Sequence, residues 1–259
     1  MKLRRVRAAE ADPREYLAGA NAAFGDWGDE ARFAWAFRGD SELLFLEDDG
    51  RVLAGSGVTF RTLCGGGSAA IISGAWTLPE ARRRGGLTQI VEATREIARR
   101  RDGVVLAFMR SDNPSRRRLA AAGARMHPTY YCRSLAAVEG ETLEPADVEA
   151  SMFPSSFVYT PAEWRAQFLE RPGTRIECIG RRGEWSAVVE RATESDRVHA
   201  VSDERALPHL AARAHAAGRR LFWFTSKRSS LTCEWTDGFL TELGASSVSD
   251  WILQNGDRM

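Results

Sequence analysis

The chain has 259 residues, 36 basic against 35 acidic side chains and a formal net charge of +1. That length allows one large core or two small ones, and so even a balance gives no global field toward nucleic acid or a membrane surface. The four cysteines, Cys64, Cys132, Cys178 and Cys233, stand far apart with no C-x-x-C pair, which argues against disulfides and zinc, and no metal is expected.

The N-terminus, Met1-Lys2-Leu3-Arg4-Arg5, leads into no apolar stretch, and no apolar run reaches membrane-spanning length. A cytoplasmic protein with no membrane partner is expected. Lysine occurs only at Lys2 and Lys227, so the basic residues are nearly all arginine. They cluster at Arg82 to Arg84, Arg99 to Arg101 and Arg116 to Arg118. The middle cluster reads as the cationic end of a helix.

In chain order, a short strand is expected over Leu3 to Arg7, then helices over Pro13 to Phe24 and Asp29 to Phe37. Asp48-Asp49-Gly50 separates Leu43–Leu46 from Val52–Phe60 as a hairpin signal. Ala69 to Leu78 reads as a strand whose internal Gly74 marks a bulge or a close backbone approach. An amphipathic helix follows on Leu87, Ile90, Val91, Thr94, Ile97 and Ala98, then a buried strand over Val104 to Phe108. Asn113-Pro114 opens a further helix that Gly123 closes. Two short strands are expected between Met126 and Val138, and a linker over Gly140 to Ala150.

Past the linker, Thr160-Pro161 starts a helix running to about Leu169. Strands are expected near Arg175–Gly180, Trp185–Glu190 and Val198–Val201. A helix then covers Ala206 to Ala217, a strand Leu221 to Thr225, a helix some part of Leu231 to Leu243, and a last strand Val248 to Leu253. Helix, strand, helix and Gly123-Ala124 in the first half are matched by helix, strand, helix and Gly244-Ala245 in the second. The order repeats although the residues barely do, which predicts two related α/β units.

One segment carries chemistry. A strand that ends, turns through Arg82-Arg83-Arg84-Gly85-Gly86-Leu87-Thr88 and opens a helix makes an anion site. The first helical N–H groups have no intrahelical acceptor, the helix dipole favours negative charge, and glycines let backbone approach a diphosphate. The second half has no counterpart of this turn.

Strand, Pro79-Glu80, arginine-glycine turn and helix together resemble the GNAT acyltransferase superfamily, whose signature is Q/R-x-x-G-x-G/A. Arg82 and Gly85 match its first two fixed positions. Leu87 replaces the last, as in turns similar to those of the Eis-like branch. Asn113 to Gly123-Ala124 is similar to a second family stretch. The resemblance covers roughly residues 1 to 138. It implies an α/β (α+β) fold, a mixed sheet flanked by helices, with a GNAT domain over 1–140 and a degenerate GNAT-like domain over 151–259.

The resemblance further implies acyl transfer, in the first instance acetyl transfer, from acyl-coenzyme A to a primary amine of a small molecule or peptide. The coenzyme would lie between the strand Ala69–Leu78 and the strand Val104–Phe108. Trp76, Thr77 and Leu78 would contact pantetheine through backbone N–H groups. Arg82, Arg83, Arg84, Gly85, Gly86, Leu87 and Thr88 would hold the pyrophosphate, and Asn113 would touch the coenzyme. Arg116 to Arg118 either reach its 3′-phosphate or form a solvated face. The tyrosine the family often uses as general acid would fall at Leu119.

Substitutes for that acid are Tyr130 and Tyr131, then Ser111 and Cys132. Candidate bases are Glu30, Asp26 and Asp29, with His127, next to Pro128, reading as a loop residue; Glu30 is the one expected here. Trp27, Trp35 and Phe37 are expected to line the acceptor pocket, though aromatics at helical spacing also build cores. Two rivals are a non-catalytic acyl-coenzyme A sensor and a tRNA-dependent aminoacyl transferase. Oligomeric state has no readable signal.

Overall fold

Residues 1–135, 143–229, 231–244, 246 and 248–258 are described by the structure, a computed structural model. They fall into two units. One comprises residues 1–126 with the chain return that begins at Leu240, the other His127–Phe239 with Val248–Arg258. Residues 127–135, assigned to the first half by sequence, thus pack with the second unit.

The first unit runs β1 (Lys2–Arg7), α1 (Pro13–Phe24), α2 (Glu30–Ala36), β2 (Ser41–Asp48), β3 (Arg51–Leu63), β4 (Ser68–Thr77), α3 (Gly86–Arg99), β5 (Gly103–Arg110) and α4 (Ser115–Ala121). Its sheet has the order β1-β2-β3-β4-β5. Every pairing along it is antiparallel except β4 with β5. Local chemistry starts α1 and α2. Asp12 accepts from the Arg14 N–H ahead of α1, with Pro13 in the first turn, and Asp29 accepts from the Arg32 N–H ahead of α2. Asp49 and Gly50, both at positive φ, close the β2–β3 hairpin where the D-G pair predicts it. The core gathers Tyr16, Phe33, Phe37, Phe45 and Trp76. Gly19 and Gly55 leave room for the Trp76 ring, which a Cβ on either would strike.

The second unit runs β6 (Arg125–Ser134), β7 (Glu144–Pro145), β8 (Phe157–Val158), α5 (Pro161–Phe168), β9 (Arg175–Arg181), β10 (Trp185–Arg191), β11 (Ser195–Val201), α6 (Ala206–Ala216), β12 (Arg220–Thr225) and β13 (Cys233–Leu243). A full capping box between Thr160 and Glu163 starts α5. β11 and β12 pair in parallel from Ser195↔Arg220 to Arg197↔Phe222, with α6 between them in the chain. This repeats the β4-α3-β5 arrangement. Trp185, Leu207, Leu210, Leu221 and Trp223 share the core over which α6 lies.

Four expectations need correction. Residues 125–134 form one strand, not two, and residues 136–138 lie outside those described. Part of the expected linker is strand: Glu144–Pro145 pairs with Gly180 and Ile179, while residues 140–142 lie outside the described residues. Leu231–Leu243 holds no helix; Cys233–Leu243 is strand β13. Cys233, Trp235, Thr236, Phe239 and Thr241 suit a pleated surface, and Gly238 weakens a helix in its middle. The repeat therefore covers strand, helix and strand but not the second helix, and Ala245 lies outside the described residues. Residues 248–253 are not a strand. They are held irregularly, the Ser156 N–H donating to the Ile252 carbonyl at 2.8 Å and the Ile252 N–H to Ser156 Oγ at 2.9 Å.

Candidate functional site

Parallel pairs between β4 and β5 run from Ser68↔Gly103 to Ile71↔Leu106, yet β4 continues to Thr77 and β5 to Arg110. A wedge opens between the two strand ends. On its other edge β4 carries a bulge. Gly55 faces Trp76 and Gly57 faces Ser73, so Gly74 and Ala75 together oppose the single residue Ser56. Gly74 has φ +56, and its carbonyl accepts from the Tyr16 hydroxyl at 2.7 Å. A Cβ on Gly74 would run into that hydroxyl. Both readings of this glycine, bulge and close approach, apply. Tyr16 itself is fully buried, and burial pushes its ionisation well above the ordinary phenol range. It is therefore a permanent hydrogen-bond donor. Sequence reading did not single it out; the available signal is that a phenol inside an apolar helix face needs a partner.

The Leu78 N–H donates to the Leu53 carbonyl at 2.9 Å. This backbone donor, expected to face the coenzyme, is engaged by β3. Successive N–H groups of a strand point to opposite edges, so the Thr77 N–H is directed away from β3, toward the wedge. The Trp76 side chain is core.

After β4 the chain makes a 3₁₀ turn at Pro79–Ala81, passes Arg83 at φ +66 and reaches Gly85 at φ +81, the N-cap of α3. The first bond of that helix entry runs from the Gln89 N–H to the Gly85 carbonyl, and no side chain caps the end. The N–H groups of Gly86, Leu87 and Thr88 are thus left for an external acceptor. A Cβ on Gly85 would meet nothing, so its backbone is open to approach. Gly86 is buried against Leu46 and Ala54, which seats the helix end on the sheet. Leu87 is half-buried and Thr88 exposed.

Arg82, Arg83 and Arg84 are all exposed. Arg84 pairs with Asp48 at 2.6 Å and holds that carboxyl below its usual range. Glu80, the nearest acid in sequence, is paired with Arg51 at 2.6 Å. Arg82 and Arg83 have no carboxylate partner among the described residues. Local charge and orphan N–H groups thus combine into a site fit for a diphosphate.

A cavity of about 170 Å³ lies beside the bulge, its wall including Trp27, Arg32, Trp35, Phe37, Ser73 and Gly74. Trp27 and Phe37 stack at 5.7 Å with an interplanar angle of 5°. The structure therefore brings together the three aromatics expected at an acceptor pocket and sets them against β4. Trp35 and Phe37 are also buried, so they serve as core and as wall.

The remaining expected residues are dispersed. Asn113 is exposed, its Oδ1 accepting from the Ser115 N–H at 2.9 Å at the start of α4. Glu30 is exposed, 3.8 Å from Arg14, and not on the cavity wall. Leu119 is buried core. Tyr130 and Tyr131 belong to the second unit and, as neighbours on β6, point to opposite faces. Tyr131 packs edge-on to Phe224 at 5.2 Å beneath Arg258, and Tyr130 lies 5.7 Å from the Arg228 guanidinium. Among the described residues no cluster of three His, Cys, Asp or Glu side chains is arranged for a metal ion, and no helix is long and apolar enough to cross a membrane.

Residues 7–124 match the model of the acetyltransferase (GNAT) family. No curated protein sequence matches the chain. Among solved structures, a probable N-acyltransferase from Enterococcus faecalis V583 is similar at TM-score 0.65 and 11% identity, covering 93% of this chain and 72% of its own. A GCN5-related N-acetyltransferase from Anabaena variabilis is similar at TM-score 0.65 and 12% identity, with the same coverages. A tandem GNAT protein of the clavulanic acid biosynthesis pathway is similar at TM-score 0.59 and 15% identity, over 96% of this chain and 100% of its own. The fold is that of these proteins: a mixed sheet flanked by helices, followed by a second GNAT-like unit. The family model is matched across the phosphate turn and the strands on either side of it, so residues 7–124 are similar to a GNAT acetyltransferase domain, and the fold is the one these solved structures share.

Proposed function

We propose that the protein moves an acetyl group from acetyl-coenzyme A to a primary amine of a small molecule or peptide in the cytoplasm. Catalysis is assigned to the unit of residues 1–126 with the return that begins at Leu240, and the other unit is a related one without the phosphate turn. The observation that carries this reading is the turn itself: three uncapped N–H groups at the start of α3, beside Arg82 and Arg83, at the end of a strand that parts from β5. The pyrophosphate takes the α3 N-terminus and the arginines. Pantetheine follows β4 into the wedge, where the Thr77 N–H is free to polarise the thioester carbonyl. Asn113, at the mouth of α4, is a further coenzyme contact.

The amine nitrogen attacks the carbonyl carbon, forming C–N as C–S breaks. Coenzyme A leaves as thiolate and takes up a proton, while the ammonium proton passes to a base through water. In this scheme Glu30 is the base and Tyr130 or Tyr131 the acid. None of the three faces the aromatic cavity wall.

Calorimetry with acetyl-coenzyme A, followed by thiol release over a panel of amines, tests the reading. Wild-type binding is expected, and Arg84→Glu combined with Gly85→Asp is expected to abolish it with the fold intact. Affinity that survives the double change overturns the site. Binding without turnover on any amine assigns the chain to acyl-coenzyme A sensing instead, a reading that the buried Leu119 favours.

A further inference from the structure

Arg32 stands in the wall of the aromatic cavity with its guanidinium carbon 5.6 Å from the Trp27 ring. It is the only charged residue among the described residues of that wall. Its Nε is buried and has no hydrogen-bond partner. Three carboxylates lie within six residues of it in sequence, and none pairs with the guanidinium. Asp26 is exposed, Asp29 accepts from the Arg32 backbone N–H at 2.9 Å, and Glu30 lies nearest Arg14. Other arginines of the unit do find acids, as Arg4 does with Glu15 and Arg84 with Asp48, while Arg82 and Arg83 face the phosphate turn without one among the described residues. A half-buried guanidinium passed over by three neighbouring acids is kept for an external acceptor.

The cavity also limits what that acceptor carries. At about 170 Å³ it falls below the ~300 Å³ at which whole-ligand pockets begin, so it takes a substituent. Stacked Trp27 and Phe37 with buried Trp35 make that substituent apolar or aromatic. A purely cationic amine would meet Arg32 and no compensating acid on the wall. A carboxylate, by contrast, matches the planar fork of donors. Ser73 and Gly74 in the wall belong to β4, so a molecule anchored at Arg32 presents its remaining group to that strand.

We infer that the acceptor is an amine bearing a carboxylate next to an apolar or aromatic side chain, as in a free α-amino acid, with Arg32 pairing the carboxylate. The inference rests on the acyl-transfer reading of the same unit, and its test separates the two. Leucine, phenylalanine and tryptophan, each with its amide, are titrated calorimetrically into the full-length protein and then supplied with acetyl-coenzyme A in a thiol-release assay. Each acid is expected to bind and react better than its amide by about ten- to a hundredfold, as loss of a charge-assisted pair predicts.

Arg32→Gln is expected to bring the acid-to-amide ratio close to one, and Arg32→Lys, which keeps the charge and loses the fork, to leave it intermediate. Amides equal to acids in the wild type, or a ratio that survives Arg32→Gln, overturns the assignment. Because the wild-type ratio is itself a test, misfolding of a variant does not shield the idea. Acid preference in binding without any acetyl transfer sinks the acyl-transfer reading while keeping the carboxylate site; transfer without acid preference does the reverse.

Discussion

The Tyr16 hydroxyl donates to the Gly74 carbonyl at 2.7 Å, tying helix α1 to the bulge of β4 across 58 residues of sequence. The ring is surrounded by Trp27, Phe33, Phe37, Phe45 and Trp76, so the phenol places a hydroxyl inside an aromatic cluster. Tyr16→Phe keeps the packing and leaves the carbonyl unpaired. Stability should fall by about 1–2 kcal/mol, read as a lower denaturation midpoint. Turnover should fall more than acetyl-coenzyme A affinity, because the bulge adjoins the cavity and not the phosphate turn. Unchanged turnover at lowered stability would make the contact purely structural.

Arg84 reaches the coenzyme turn already paired with Asp48. Asp48→Asn releases the guanidinium for phosphate, and acetyl-coenzyme A affinity at low salt is expected to rise by about two- to fivefold, the scale of an exposed ion pair. The gain should shrink as salt is added. Calorimetry at two ionic strengths measures both. Weaker binding by the variant would mean that Asp48 orders the turn.

His199 is 2% exposed in the second unit. Arg171 donates to its Nδ1 at 2.8 Å, and because a guanidinium accepts nothing, the ring's proton is on Nε2, 2.7 Å from Glu190. Burial holds the imidazole below its ordinary value of 6.5, the Arg171 charge acting the same way against the pull of Glu190. The bond from His199 likewise holds Glu190 low. Above pH 6.5 neither state protonates this ring. Below it the unfolded chain binds a proton that the folded chain refuses, so stability falls with falling pH, by at most about 1.4 kcal/mol per unit for one proton. Melting temperatures should be flat from pH 8 to 7 and drop from 6.5 to 5. His199→Asn should flatten that drop.

Cys132 is buried, and burial with the neighbouring Cys233 pushes its thiol up to about 12, whereas Cys64 is exposed. Iodoacetamide at pH 8 should modify Cys64 first and leave Cys132 intact until denaturant is added. Peptide mass spectrometry reads the order. Early labelling of Cys132 would show that β6 opens readily.

Local signals carried much of this fold. Asp49-Gly50, the Thr160-Pro161 helix start and the Gly74 bulge are each set by a few adjacent residues, and each stands where the sequence puts it. The phosphate turn was legible for the same reason: glycines, arginines and a helix start are contiguous. Strand β13 was not, because its ladder neighbours come from elements far away in the chain, and pairing overrides what Leu231–Leu243 suggests alone. The roles of Tyr16 and Arg32 are hidden in the sequence for a similar reason. One is defined by a carbonyl on another strand, the other by carboxylates that fail to reach it. Family position points to Leu119, Glu30, Tyr130 and Tyr131 for acid and base, and the structure spreads those residues among core, exposed and second-unit settings.

The Thr241 hydroxyl donates to the Ala107 carbonyl at 3.1 Å, and buried Glu242 holds Arg125 at 2.5 Å, both inside the unit that otherwise ends at residue 126. On the ribosome, then, the acyl-transfer half has to wait. Its β5 strand lacks the partner beginning at Leu240 until more than a hundred further residues have been synthesised. Stop codons anywhere between residues 127 and 240 should release an N-terminal fragment with an open strand edge, prone to aggregate rather than act alone.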